Sequence, residues 1–134
     1  DFVPMLAGCV RAHYAHVPFD AVTYVPLYPR KERERTYNQA ALLAGGLART
    51  LDVPLLSGCL RRARATDTQT NLTAAQRRKN IAGAFAAEKQ RWLEGRSLLL
   101  VDDVMTTGAT VNECAKVLKK GGAARVYVVT VARG

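Results

Sequence analysis

The chain has 134 residues, enough for one compact domain with a core of its own and too few for two. Hydrophobic residues make up 49% and charged residues 23%, a globular balance that excludes wholesale disorder, and no apolar run approaches the ~20 residues of a membrane span. The formal net charge of +9 points to an anionic partner: nucleic acid, nucleotide or phosphate.

Residues 5–15 read as a short amphipathic helix. Ala21 to Leu27 is β-branched and aromatic, a buried strand, and a basic loop follows from Tyr28-Pro29-Arg30 to Arg35. Asn38 caps a helix whose apolar positions Leu43, Ala44, Leu47 and Leu51 share one stripe. Val53-Pro54-Leu55-Leu56 reads as a short second strand, with Pro54 tolerable at its start. Residues 61–72 are rich in Arg, Thr, Asn and Gln without apolar periodicity, so they read as a loop. Thr73 caps a helix over 73–81, and a short strand lies near Gly83-Ala84-Phe85. Leu98-Leu99-Leu100-Val101 is a strand buried on both faces. The helix 108–120 buries Val111, Ala115 and Leu118 and ends at Lys119-Lys120 before Gly121-Gly122. Val126 to Val131 is the last strand. Trp92 is expected to pack at a helix end and Tyr24 in the core. Strand and helix alternate, which predicts an α/β fold: a mostly parallel sheet flanked by helices on both faces.

Cys9, Cys59 and Cys114 are scattered, with no CxxC pair, and this favours a reducing, cytoplasmic setting over a disulfide framework. Cys9, His13 and His16 have a loosely ligand-like spacing. A structural zinc site needs four ligands, however, so they read as an ordinary helix surface. More than half of the net positive charge lies in residues 61–79, where Arg61, Arg62, Arg64, Arg77, Arg78 and Lys79 face Asp67 alone. The chain opens on Asp1 rather than Met and without a secretory leader pattern, which reads as a trimmed terminus.

The chemistry concentrates in residues 98–110, where a buried strand runs into Asp102-Asp103 and then Thr106-Thr107-Gly108-Ala109-Thr110 opens a helix. Open α/β sheets place ligands beyond the carboxyl ends of their strands. Unpaired N–H groups at the positive end of a helix make a phosphate seat. Gly108 permits close approach of the backbone, and the threonines add hydroxyl donors. The carboxylates accept only, so they suit sugar hydroxyls or a hydrated Mg²⁺. The plainer reading is a capped helix with idle surface acids, but two acids directly behind a core strand need partners.

This run strongly resembles the phosphoribosyl-pyrophosphate (PRPP) signature of the type I phosphoribosyltransferases. Several further residues narrow the resemblance to the ComF family of competence-associated proteins: Val25-Pro26-Leu27, Arg35, Tyr37-Asn38-Gln39, Leu60-Arg61-Arg62, Thr66, Gln69, Leu72, Arg77, Asn80, Ala84-Phe85 and Ala132-Arg133. The resemblance covers about residues 22–134. It implies a single phosphoribosyltransferase-like domain over 1–134, without the cysteine-rich zinc module the family often carries. It also implies that Thr106, Thr107, Gly108, Ala109 and Thr110 hold the ribose 5′-phosphate. Asp102 and Asp103 would hold the ribose hydroxyls and, directly or through water, Mg²⁺. Arg30 and Lys31 would face the pyrophosphate, and the segment with Arg61, Arg62 and Arg64 would be the flexible loop over the leaving group. Loss of pyrophosphate leaves an oxocarbenium-like sugar, which carboxylates stabilise while Mg²⁺ and arginines neutralise the departing charge. The expected function is therefore Mg²⁺-dependent phosphoribosyl transfer from PRPP to an unidentified acceptor, linked to DNA uptake in natural competence. The alternative is a non-catalytic module of the DNA-uptake machinery that holds single-stranded DNA or a partner, or a PRPP sensor.

Overall fold

The computed structural model of the protein describes residues 2–26, 38–64, 73–105 and 108–133, with backbone alone at 104, 105, 132 and 133. In chain order these form α1 (Val3–His13), β1 (Ala21–Tyr24), α2 (Gln39–Leu51), β2 (Leu60–Arg62), α3 (Ala74–Ile81), β3 (Phe85–Ala87), α4 (Gln90–Leu93), β4 (Ser97–Met105), α5 (Ala109–Lys120) and β5 (Arg125–Arg133). The main sheet has the order β1-β4-β5 and is parallel throughout. Ala21 pairs with Leu98 and Tyr24 with Val101 on one side, and Leu98 pairs with Val126 and Val101 with Val129 on the other. A second, two-stranded sheet pairs β2 antiparallel to β3.

The unbroken run Leu98-Leu99-Leu100-Val101 is fully buried because successive side chains enter opposite layers. Leu98 and Leu100 join Phe85, Leu93, Cys114 and Leu118 beneath α5. Leu99 and Val101 join Leu6, Val10, Leu43 and Leu47 beneath α1 and α2. Helices thus cover both faces, as the alternating pattern predicts.

Local signals set most helix ends. The Asn38 side chain accepts from Ala41 N at 3.3 Å and starts α2. Thr73 and Gln76 form a reciprocal capping box at α3, with Thr73 Oγ1 accepting from Gln76 N and Gln76 Oε1 from Thr73 N.

Several boundaries and environments differ from the sequence reading. The first helix is Val3–His13 rather than 5–15, and β1 stops at Tyr24; Leu27 lies outside the described residues. Residues 53–56 make only a bridge, Leu55 to Val22, because Pro54 has no N–H to donate and contributes only its carbonyl to Val22 N. Arg61 and Arg62 are strand residues rather than loop. In α5 it is Cys114 that is fully buried, with Val111 and Leu118, while Ala115 is half-buried. Tyr24 is half-buried against the α1–α2 layer, and Trp92 is 51% exposed.

The α1–α2 contact depends on a glycine. A Cβ on Gly46 would lie 2.5 Å from Val3 Cγ2 and 3.2 Å from Cγ1, and a β-branched side chain has little freedom to retreat. Gly46→Ala is expected to cost about 1–3 kcal/mol. Thermal denaturation checks this, and adding Val3→Ala should recover part of the loss.

Candidate phosphoribosyl site

Strand β4 does not end at its hydrophobic run. It continues through both acids, with Asp102 opposite Thr130 and the ladder to β5 running on to Met105 and Arg133. The alternation that sends Leu98 and Leu100 beneath α5 carries Asp102 to the same side. It is 7% exposed, a carboxyl at the end of an apolar layer. Its Oδ1 accepts from Asp103 N at 2.9 Å, and the two carboxyl groups also meet each other.

Burial pushes the Asp102 carboxyl up to about 7, and the neighbouring Asp103 carboxyl pushes in the same direction. The Asp103 N–H and the Arg62 guanidinium pull against this rise without cancelling it. The folded protein therefore holds this proton more tightly than the unfolded chain, where an aspartate titrates near ~3.9. The stability that the neutral carboxyl contributes is fully present below that unfolded value and is lost as pH rises through about 7. Asp102→Asn removes this dependence. Urea denaturation from pH 4 to 8 should show the wild type losing stability relative to the variant, by an amount on the order of a few kcal/mol.

Helix α5 begins on Gly108, whose φ of 81° and ψ of −2° lie in the left-handed region, where a side chain is strained. Gly108 O accepts from Asn112 N at 2.9 Å. The first turn, with Ala109 buried and Thr110 half-buried, thus brings backbone donors and a positive helix end to the carboxyl edge at which β4 delivers its acids. Gly108, Ala109 and Thr110 open α5, the element that follows β4 with its Asp102 and Asp103. Thr106 and Thr107, like Arg30 and Lys31, lie outside the described residues.

The three arginines assigned to the flexible loop each have a place in the fold. Arg61 is ion-paired to Glu88 across β2 and β3. Arg64 Nη2 donates to Asn80 O at 2.8 Å and Ala82 O at 2.6 Å, closing the carbonyl end of α3. The Arg62 guanidinium carbon stands 5.2 Å from the centre of the Phe85 ring, a cation–π contact. Its charge also acts on Asp102 and on Cys114 of α5.

One member of this neighbourhood escapes a motif search, the Cys114 thiol, while Arg62, named from the resemblance as a flexible-loop residue, acts as a cation on Asp102. Burial and the Asp102 charge hold that thiol far above the usual range, so it stays protonated and unreactive. The period of two along β4, followed one residue past Val101, is the signal that could place Asp102 over α5.

The chemistry of the donor set fits Mg²⁺: one or two carboxylates, with water and substrate phosphates completing the shell. Among the described residues no group of three or more His, Cys, Asp or Glu side chains gathers as a metal site. Cys9 and His13 instead form a helix-surface pair, with His13 Nδ1 3.6 Å from Cys9 Sγ and 3.0 Å from Cys9 O.

A parallel sheet covered on both faces, with acids and a glycine-started helix at its carboxyl edge, defines a type I phosphoribosyltransferase fold. Residues 38–134 match the phosphoribosyl transferase domain model, and the chain belongs to that family. It is 42% identical over 124 residues, 92% of its length, to Competence protein F of Haemophilus influenzae. It is also 42% identical over 85% of its length to DNA utilization protein YhgH of Escherichia coli O157:H7. These similarities bear out the resemblance to the ComF proteins. The chain spans about half the length of the relatives it matches, 54% and 49% of these two. Among solved structures it resembles glutamine PRPP amidotransferase of B. subtilis, complexed with ADP and GMP. The TM-score is 0.61 at 24% identity, over 94% of this chain and 25% of that one, a likeness of fold.

Proposed function

We propose that the protein binds PRPP, or a nucleotide through its 5′-phosphate, at the carboxyl edge of β4, and transfers phosphoribose to a nitrogenous acceptor in the service of DNA uptake. The observation that carries this reading is one juxtaposition: the buried Asp102 carboxyl beside the half-buried Asp103 near the end of β4, with a left-handed glycine opening the next helix. The backbone N–H groups at Gly108–Thr110, with the hydroxyls of Thr106, Thr107 and Thr110, hold the 5′-phosphate. Asp102 and Asp103 accept from the ribose hydroxyls and face the positive charge that grows on the sugar as pyrophosphate leaves. Asp102 and Asp103 would hold Mg²⁺ directly or through water, and the ion would supply positive charge to the departing pyrophosphate. Arg30 and Lys31 face the pyrophosphate. The Arg62 charge beside Asp102 favours its ionised form.

The link to DNA uptake is supported by the names of the two relatives, a competence protein and a DNA utilization protein. The cytoplasm is the expected place, in keeping with three free cysteines. Among the described residues no helix is long and apolar enough to cross a membrane.

Calorimetry tests the ligand. PRPP with Mg²⁺ should bind and should bind less well when the metal is chelated, and AMP should compete because it carries the same 5′-phosphate. No heat and no thermal stabilisation with either ligand would defeat the reading.

A further inference from the structure

At the opposite edge of the main sheet, where β4 and β5 begin, the chain gathers a second cationic surface. Gly95 N donates to Gly122 O at 2.9 Å and Ala124 N donates to Arg96 O at 2.9 Å, which joins the turn after α4 to the end of α5. A Cβ on Gly121 would lie 3.2 Å from Leu93 Cδ1, so the last turn of α5 rests directly on α4. Six cations share this junction: Lys89, Arg91, Arg96, Lys119, Lys120 and Arg125, all exposed except the half-buried Arg96. Three acids lie near them. Glu88 is ion-paired to Arg61, Asp20 Oδ2 accepts from Ser97 N at 2.8 Å, and Glu94 is exposed. None of the six cations is ion-paired with a described residue.

On α4, next to Arg91, stands Trp92, the chain's single tryptophan, 51% exposed while its neighbour Leu93 is fully buried. Leu93 anchors the one-turn helix α4 and leaves the indole facing solvent.

We propose that this edge docks single-stranded nucleic acid, with a base stacked on Trp92 and the flanking phosphates on the surrounding lysines and arginines. Lys89 Nζ donates to Ser57 O at 3.0 Å and keeps its charge. An exposed aromatic ring near cations without ion pairs to described residues is the arrangement that unstacked bases and their backbone recognise. A duplex keeps its bases stacked and offers no face to the indole. A lipid surface calls for a broad apolar face to enter it. Among the described residues, the other exposed large hydrophobic side chains, Phe2, Met5, Leu42 and Leu55, lie instead on or beside α1 and α2. The inference goes beyond the PRPP reading and does not depend on it, because the two surfaces occupy opposite edges of the sheet.

The single tryptophan supplies the probe. A twelve-nucleotide thymidine strand titrated at low salt should quench the emission of the 134-residue chain. Log affinity should fall with log salt at a slope of about −0.7 for each phosphate neutralised. Trp92→Leu, read by anisotropy of a labelled strand, should weaken binding about tenfold. Replacing Lys119, Lys120 and Arg125 by Ala should flatten the slope. Saturating AMP, or Asp102→Asn with Asp103→Asn, should leave strand binding unchanged, so failure of the phosphate site and failure of this edge are read separately. The proposal is overturned by absence of binding at low salt, or by binding that leaves the emission unchanged and both variants unaffected. Displacement of the strand by AMP, or emission that responds to anionic phosphatidylglycerol vesicles and not to the strand, overturns it as well.

Discussion

Asp102→Asn combined with Asp103→Asn is expected to leave a folded protein whose turnover of PRPP falls at least a hundredfold, roughly the loss when one preorganised electrostatic contact is deleted from an active site. Asparagine keeps the size of each side chain, and its carbonyl can still accept from Asp103 N as Asp102 Oδ1 does at 2.9 Å. What disappears is negative charge where the sugar becomes cationic. AMP affinity should change much less, since the 5′-phosphate rests on backbone donors at Gly108–Thr110. Pyrophosphate release with candidate bases, measured beside AMP binding, separates the two effects. Full turnover by the double variant would remove these acids from catalysis. In cells, full transformation frequency with this variant at normal protein level would exclude catalysis as the biological role and leave the non-catalytic reading, a DNA-handling module or PRPP sensor.

Gly108→Val should have the complementary outcome, abolishing binding of both PRPP and AMP. A φ of 81° costs an L-residue about 1–2 kcal/mol, and a β-branched side chain more. The added methyl groups also occupy the space into which a phosphate must descend. Thermal denaturation should show a modest loss of stability, while calorimetry shows no binding at ligand concentrations that saturate the wild type. Gly108→Ala separates the causes, because it carries the backbone strain with less bulk. Wild-type affinity in the valine variant would place the phosphate elsewhere.

The parts of the fold that could be read in the sequence have local causes. Four consecutive aliphatic residues at 98–101 announce a strand buried on both faces, and the structure buries all four completely. Asn38 and Thr73 mark helix starts because their side chains satisfy N–H groups two or three residues ahead. Hidden features depend on partners far along the chain. Arg61 and Arg62 look like loop residues until Phe85–Ala87 arrives to pair with them and Glu88 to take up one charge. Aspartates are poor strand formers, so residue propensity gives no sign of β4 running past Val101, and only the period of two carried one residue further hints at it. The ladder extends because β5 pairs with it as far as Arg133. Of the site, the order of acids, glycine and helix start is legible residue by residue. The burial of Asp102, its rise to about 7 and the Arg62 charge acting on it arise only in the assembled fold. The exposed Trp92 is equally invisible beforehand, since a one-turn helix anchored by Leu93 has no periodicity to read.

The most direct measurement is a crystal structure of the chain soaked with PRPP and Mg²⁺. The expected electron density has the 5′-phosphate within hydrogen-bond distance of the backbone N–H groups around Gly108 to Thr110, and the ribose hydroxyls on Asp102 and Asp103. PRPP bound at any other surface, with the carboxyl edge of β4 still filled by solvent at saturating ligand, would contradict it.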